Sequence, residues 1–276
     1  MSDRPPTPAL ADSLAALAAA RPLVQSITNA VTVNDVANVT LHWGGLPVMA
    51  DDEREVAEMV AAADALLLNA GDVSERGERT MLTAGRAANE RGVPVVLDPV
   101  GVGATPTRTA VATRLAADLD LAVVKGNYGE VSALAGAESA VRGVESVGEY
   151  ADIAATARAC AAETDAVVVA SGETDVVATG DDAYAVDGGH PMMGRVVGTG
   201  CMLGVTLAAF RGAVDDSVRA AIEGVLAYGL AGERAAESEY GGPASYKVAF
   251  LDAVAGLAAE PGSIDDASLA GRIERA

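Results

Sequence analysis

Aromatic side chains are scarce. Phe, Trp and Tyr make up 3% of the 276 residues, and Trp43 is the one tryptophan. Alanine, valine and leucine must therefore fill the core. The length is enough for one large α/β domain or two small ones, and the apolar half of the chain allows a sizeable core. Lysine is sparser still, with only Lys125 and Lys247. Positive charge is short throughout: 19 Lys and Arg stand against 39 Asp and Glu, a net charge of −20. That balance repels nucleic acid and anionic membranes, so neither is expected as a partner. The acids are scattered among apolar residues rather than gathered in one block, which argues against disorder. An acidic, lysine-poor surface suits a cytoplasm with molar salt, where screening removes self-repulsion, and a halophilic source is expected. Cys160 and Cys201 are the only cysteines, which fits a reducing cytoplasm better than a disulfide. Met1-Ser2-Asp3-Arg4-Pro5-Pro6 has no basic-then-apolar signal design, and no apolar run reaches membrane length uninterrupted.

Several catalytic devices are missing as well. No Gly-Lys-Ser or Gly-Lys-Thr occurs, which excludes a P-loop. Gly101-Val102-Gly103-Ala104 begins a dinucleotide fingerprint, but the third glycine is absent and Pro106 follows. His42 and His190 lie too far apart for a zinc spacing. No Gly-x-Ser-x-Gly elbow is present. Hydrolase and zinc-enzyme chemistry lose their usual signatures.

What is there alternates. Short apolar runs read as strands at 23–27, 47–49, 65–69, 93–97, 121–124 and 166–170, with a hairpin over 175–186. Helical stretches are expected at 9–20, 31–42, 53–63, 74–91, 128–135 and 150–163, and over most of 199–259. This order predicts a mainly parallel sheet covered on both faces, within a single domain spanning 1–276. Three strands end in polar or glycine turns: Asp98-Pro99, Lys125-Gly126-Asn127 and Ser171-Gly172. Ligands bind beyond the carboxyl ends of such strands.

One stretch dominates the rest. In Gly198-Thr199-Gly200-Cys201 two glycines bracket a threonine, and a thiol opens an apolar run to Phe210. Thr199 is the expected N-cap, and the N–H groups of the first helical turn form an anion site. The bland alternative is a capped, buried helix with a core cysteine. Phosphoryl transfer without a P-loop needs an anion hole, acids for Mg²⁺ and a cation near the phosphates. Gly198–Cys201, the acids Asp98 and Glu130, and Lys125 offer these. Taken singly, each acid also reads as a helix cap, and Lys125 as a solvated strand end.

Taken together these pieces resemble the hydroxyethylthiazole kinase family of the ribokinase-like superfamily. The matching stretches are Gln25-Ser26-Ile27-Thr28-Asn29, Val31 to Asn38, Pro47-Val48-Met49, Asp98 to Ala104, Gly126-Asn127-x-x-Glu130, Ser171-Gly172-Glu173-x-Asp175 and Met193 to Met202. The resemblance implies a ribokinase-like three-layer αβα fold. It implies transfer of the γ-phosphoryl group of ATP, with Mg²⁺, to the primary alcohol of 4-methyl-5-(2-hydroxyethyl)thiazole. It also implies a homotrimer with sites at the subunit interfaces. Met49, Gly198 and Asn29 match substrate positions, and Lys125, Ser171 and Asn127 match nucleotide positions. Asp98 and Glu130 match the Mg²⁺ acids. Gly198, Thr199, Gly200 and Cys201 match the catalytic turn, and Cys201 stands where the wider superfamily carries an aspartate base. Whether this cysteine takes the proton or only orients the alcohol stays open. Lys125 replaces the family's usual arginine and Ser171 its threonine. Another ribokinase-like kinase, such as one for hydroxymethylpyrimidine, and a binding protein without turnover are the alternatives.

Overall fold

Apolar runs with no polar alternation build the middle of the molecule. The computed structural model describes residues 5–136, 141–142, 145–146 and 152–276. Its main sheet holds β1 (Leu23–Ile27), β2 (Leu46–Val48), β3 (Ala65–Asn69), β4 (Val95–Asp98), β5 (Val123–Asn127), β6 (Val167–Ser171), β7 (Asp175–Ala178), β8 (Ala183–Val186) and β9 (Ile273–Arg275). The spatial order is β9-β8-β7-β6-β5-β4-β3-β1-β2. The pairs from β2 to β6 are parallel, and those from β6 to β9 are antiparallel. Strands buried on both faces need no polar side chains, hence the unbroken Val and Leu runs.

Side chains alternate across the sheet. Leu67, Val96, Val123 and Val169 face one helical layer: α1 (Leu10–Ala20), α2 (Val33–His42), α8 (Thr199–Ala213), α9 (Ser217–Glu237) and α10 (Pro243–Ala259). Leu66, Leu68, Leu97, Val124 and Val168 face the other: α3 (Val56–Val60), α4 (Glu75–Arg91), α5 (Pro106–Asp118), α6 (Tyr128–Leu134) and α7 (Ile153–Thr164). The result is a three-layer αβα arrangement. The few rings sit at its joints. Trp43 is fully buried, meets Phe210 edge-on at 5.6 Å, and donates its Nε1–H to Thr206 Oγ1 at 2.9 Å. It fastens the end of α2 to the middle of α8.

Several elements differ from those the sequence predicts. Helix α5 was not expected, although Thr105 caps it through Arg108 N and Pro106 opens it. Strand β9 was missed too: three residues near the chain end pair with β8. Helix α3 spans only Val56–Val60 of the expected 53–63. Of the helix expected from 150, the first two residues lie outside the described residues. Helix α1 has no side-chain N-cap of its own. Its N-terminal N–H groups are bound by carboxylates distant in sequence: Ala9 N–H by Glu223 Oε1 at 2.8 Å, and Leu10 N–H by Asp266 Oδ1 at 2.9 Å.

Candidate active site

Helix α8 points its N-terminus at the carboxyl edge of the parallel strands. Gly198 is the N-cap, with φ +94°, a left-handed conformation that favours glycine. A Cβ there would also lie 2.8 Å from Thr32 Cγ2. This corrects the expected N-cap, because Thr199 is already the first helical residue. Its hydroxyl instead reaches back and donates to Met193 O and Val196 O at 3.1 and 3.2 Å. Tyr228 OH donates to Thr199 O at 2.7 Å. These bonds fix the turn without using the first-turn N–H groups, and among the described residues no side chain caps them. Uncapped N–H groups at the positive end of a 15-residue helix suit an anion.

A polar chain runs beneath that turn. The Asn29 amide accepts the N–H groups of Val31 and Thr32 through Oδ1, at 3.0 and 3.1 Å. Its Nδ2 is thereby turned toward Cys201 Sγ at 3.5 Å and Asn69 Oδ1 at 2.9 Å. Asn69 also accepts Gly71 N–H, and donates from Nδ2 to Asp98 Oδ2 at 2.7 Å. Lys125 Nζ stands 3.4 Å from Asp98 Oδ1. It also lies 3.0 Å from where a Cβ on Gly200 would sit, so a side chain there would press on the ammonium. Asn29, Asp98, Lys125 and the 198–201 turn thus form one assembly from four separate stretches of sequence. Lys125 is buried, not the solvated strand end that was one expectation.

Burial sets the electrostatics. It raises the Asp98 carboxyl to about 6, with the Glu130 charge adding to the shift and the Lys125 charge opposing it. Burial works to lower Lys125, but the charges of Asp98 and Glu130 outweigh it and hold the ammonium above its ordinary range. Burial and the Asp98 charge push the Cys201 thiol up, against the Lys125 charge and the nearby polar side chains of Thr32 and Asn69. At neutral pH the sulfur is therefore a thiol beside an Asp⁻–Lys⁺ pair.

The nucleotide-side residues line the neighbouring strand ends. Asn127 and Glu130 form a reciprocal capping box on α6. Glu130 Oε2 accepts Asn127 N–H at 2.8 Å, and Oε1 accepts Gly101 N–H at 2.7 Å. Ser171 donates to Gly126 O at 3.3 Å across the β5–β6 pair. Met49 follows β2, half-buried against the α8-side core, and takes no part in the polar chain. A groove of about 590 Å³ runs elsewhere, between α9 and α10 beside Arg234 and Asp252. The fixed donors and charges, not that groove, mark the site.

Asn69, Thr32 and Arg108 were not anticipated. Asn69 carried a readable signal: it is a polar residue ending a buried strand, as Asp98 is. Arg108 donates to Ala70, Gly71 and Val100 carbonyls at 3.3, 3.0 and 3.0 Å, stapling the loops after β3 and β4.

The family model described as "Hydroxyethylthiazole kinase family" matches residues 14–260. A hydroxyethylthiazole kinase from Natronomonas pharaonis is 61% identical, over 100% of this chain and 98% of its own. The solved structure of a hydroxyethylthiazole kinase protein from Pyrococcus horikoshii superposes with TM-score 0.82 at 37% identity, covering 90% of this chain and 92% of that one. A ribokinase-like superfamily protein from Enterococcus faecalis, 14% identical, shares the fold at TM-score 0.61, over 84% and 86% of the two chains.

Proposed function

The chain belongs to the hydroxyethylthiazole kinase family, and from that premise we propose that it phosphorylates 4-methyl-5-(2-hydroxyethyl)thiazole with ATP in thiamine biosynthesis and salvage. The observation that carries the reading is the uncapped turn of α8 set over the Cys201–Asn29–Asn69–Asp98–Lys125 chain. It offers N–H donors, a buried cation and an oriented thiol around one point.

The chemistry follows from those groups. The alcohol oxygen attacks the γ-phosphorus. A new O–P bond forms as the bond to the β–γ bridging oxygen breaks, and ADP leaves with that electron pair. Negative charge on the peripheral oxygens is met by the Thr199, Gly200 and Cys201 N–H groups. Lys125, with Ser171 and Asn127 beyond it, takes the nucleotide phosphates, and Met49, Gly198 and Asn29 take the thiazole side. Cys201 is raised by burial, so it works as an orienting thiol rather than a resident base. The alcohol proton leaves late, to solvent.

The residues also suit Mg²⁺ arriving with ATP. Two carboxylates, Asp98 and Glu130, face this edge, and among the described residues no group of three acids, histidines or cysteines gathers. Mg²⁺ favours such a setting, with one or two carboxylates, waters and substrate phosphates. It would supply charge neutralisation for the transferring group. Each carboxylate already accepts protein hydrogen bonds, so water-bridged contact fits better than a full protein cage.

Assembly, location and source follow the same premise. Val31, Val197 and Val248 are 73%, 74% and 60% exposed near the α2, α8 and α10 ends. Apolar residues in such a position support a homotrimer with sites at its interfaces. A light-scattering mass of one 27.6 kDa chain would contradict it. Cytoplasmic location is supported by two free cysteines, and among the described residues no helix is long and apolar enough to cross a membrane. The −20 charge and the Natronomonas relative support a halophilic source. A melting temperature that fails to rise between about 0.1 and 1 M salt would count against it. The activity itself is tested by ADP release with and without the thiazole alcohol.

A further inference from the structure

Seven buried side-chain nitrogen or oxygen atoms lack a hydrogen-bond partner among the described residues. Four of them, Gln25 Oε1, Ser26 Oγ, Thr28 Oγ1 and Thr32 Oγ1, belong to β1 and the turn that follows it. A buried polar atom left unpaired costs about 1–3 kcal/mol, and each asks for a reason. Four within eight residues of sequence, at the ligand edge of the sheet, share one reason if a ligand supplies the missing partners.

Thr32 is the most exactingly placed of the four. It is 3% exposed. Its N–H is held by Asn29, the residue whose Nδ2 reaches Cys201 Sγ. Its methyl lies against Gly198, where a Cβ would meet Cγ2 at 2.8 Å. Its hydroxyl is near enough to the thiol to favour ionised sulfur, yet meets neither sulfur nor any other group in bonding geometry. The side chain therefore sits between the α8 turn and the Cys201 thiol with its polar end unused. If packing were its whole purpose, valine would fill the same volume without stranding a hydroxyl.

We propose that Thr32 is a substrate contact whose hydroxyl binds the oxygen of the transferring alcohol between Gly198 and Cys201. The inference rests on the kinase reading above and adds a residue to it. A threonine hydroxyl both donates and accepts. Donating to one lone pair of the alcohol oxygen leaves the second lone pair for the γ-phosphorus, while the alcohol proton faces the Cys201 sulfur. Thr32 thus sets the angle of attack and discriminates for an alcohol over a ring that lacks one.

Thr32→Val removes the hydroxyl and keeps the shape. The expected result is a melting temperature equal to or above the parent's. The kcat/KM for the thiazole alcohol falls about tenfold to a hundredfold, the usual range for a lost buried hydrogen bond to substrate. The KM for ATP stays near the parental value, and Thr32→Ser recovers most of the loss. Should valine not fold, Thr32→Ala against Thr32→Ser isolates the same hydroxyl, because both lack the methyl. Calorimetric binding of the thiazole alcohol without ATP provides a reading that needs no turnover, with about tenfold weaker binding expected for Thr32→Val. A parent that binds the alcohol but leaves ATP intact would fail the kinase reading while keeping this comparison readable. A hydroxyl-free variant with parental binding and parental kcat/KM overturns the proposal.

Discussion

Replacing Glu223 by glutamine is expected to stabilise the protein above neutral pH. Glu223 is 2% exposed on α9. One carboxylate oxygen accepts Ala9 N–H, and the other has no hydrogen-bond partner among the described residues. Burial raises its carboxyl from 4.5 to about 7, against the Ala9 N–H and the Arg219 charge and with help from Asp266 and Asp12. The folded state therefore keeps a proton through the window from about 4.5 to about 7, where the unfolded chain has lost it. Stability contributed by this group is present below that window and falls as pH rises through it. The shift corresponds to a penalty on the order of 3 kcal/mol, fully developed above the window. Glutamine keeps the acceptor for Ala9 N–H and removes the charge, but loses the attraction of Arg219, 3.9 Å away. A net gain of about 1–3 kcal/mol remains at pH 8, shrinking toward pH 5. Melting temperatures of parent and Glu223→Gln from pH 5 to 9 provide the assay. The two curves should diverge with rising pH. Parallel curves would mean that Glu223 carries no shifted proton, and the borrowed-cap description of α1 would lose its electrostatic part.

Two further substitutions address the site. Cys201→Ala should lower kcat about 10²-fold, the low end of general-base effects, because the thiol orients rather than deprotonates. Cys201→Asp should retain more activity than alanine, since Asn29 Nδ2 and Lys125 favour a carboxylate there even as Asp98 opposes it. A folded Cys201→Ala enzyme with parental kcat would remove Cys201 from the mechanism. Lys125→Ala should raise the KM for ATP far more than that for the thiazole, and Lys125→Arg should preserve activity by restoring a planar fork. Equal effects on both substrates would show that the Asp98–Lys125 pair is structural.

Much of this was readable from residue order. Unbroken Val and Leu runs reported parallel strands because a sheet buried on both faces needs no alternation. Asp98, Lys125 and Ser171 were legible as site residues because they end such runs. Asn69 ends one too, yet it lacks a charge and drew no attention. Thr32 was illegible: a threonine inside an amphipathic stretch gives no hint that its hydroxyl will be buried without a partner. The Thr199 cap failed for a local reason. Gly198 took the left-handed position, so the hydroxyl turned back to the 193 and 196 carbonyls. The caps of α1 were beyond reach, because Glu223 and Asp266 lie more than two hundred residues away.

The most direct measurement is ³¹P NMR of ATP and Mg²⁺ incubated with the protein and two alcohols in competition, hydroxyethylthiazole and hydroxymethylpyrimidine. The proposed activity, with Met49, Gly198 and Asn29 on the thiazole side, predicts a phosphate monoester of the thiazole alone, in step with ADP. Phosphorylation of the pyrimidine instead, or ATP left intact while both alcohols are present, would contradict it.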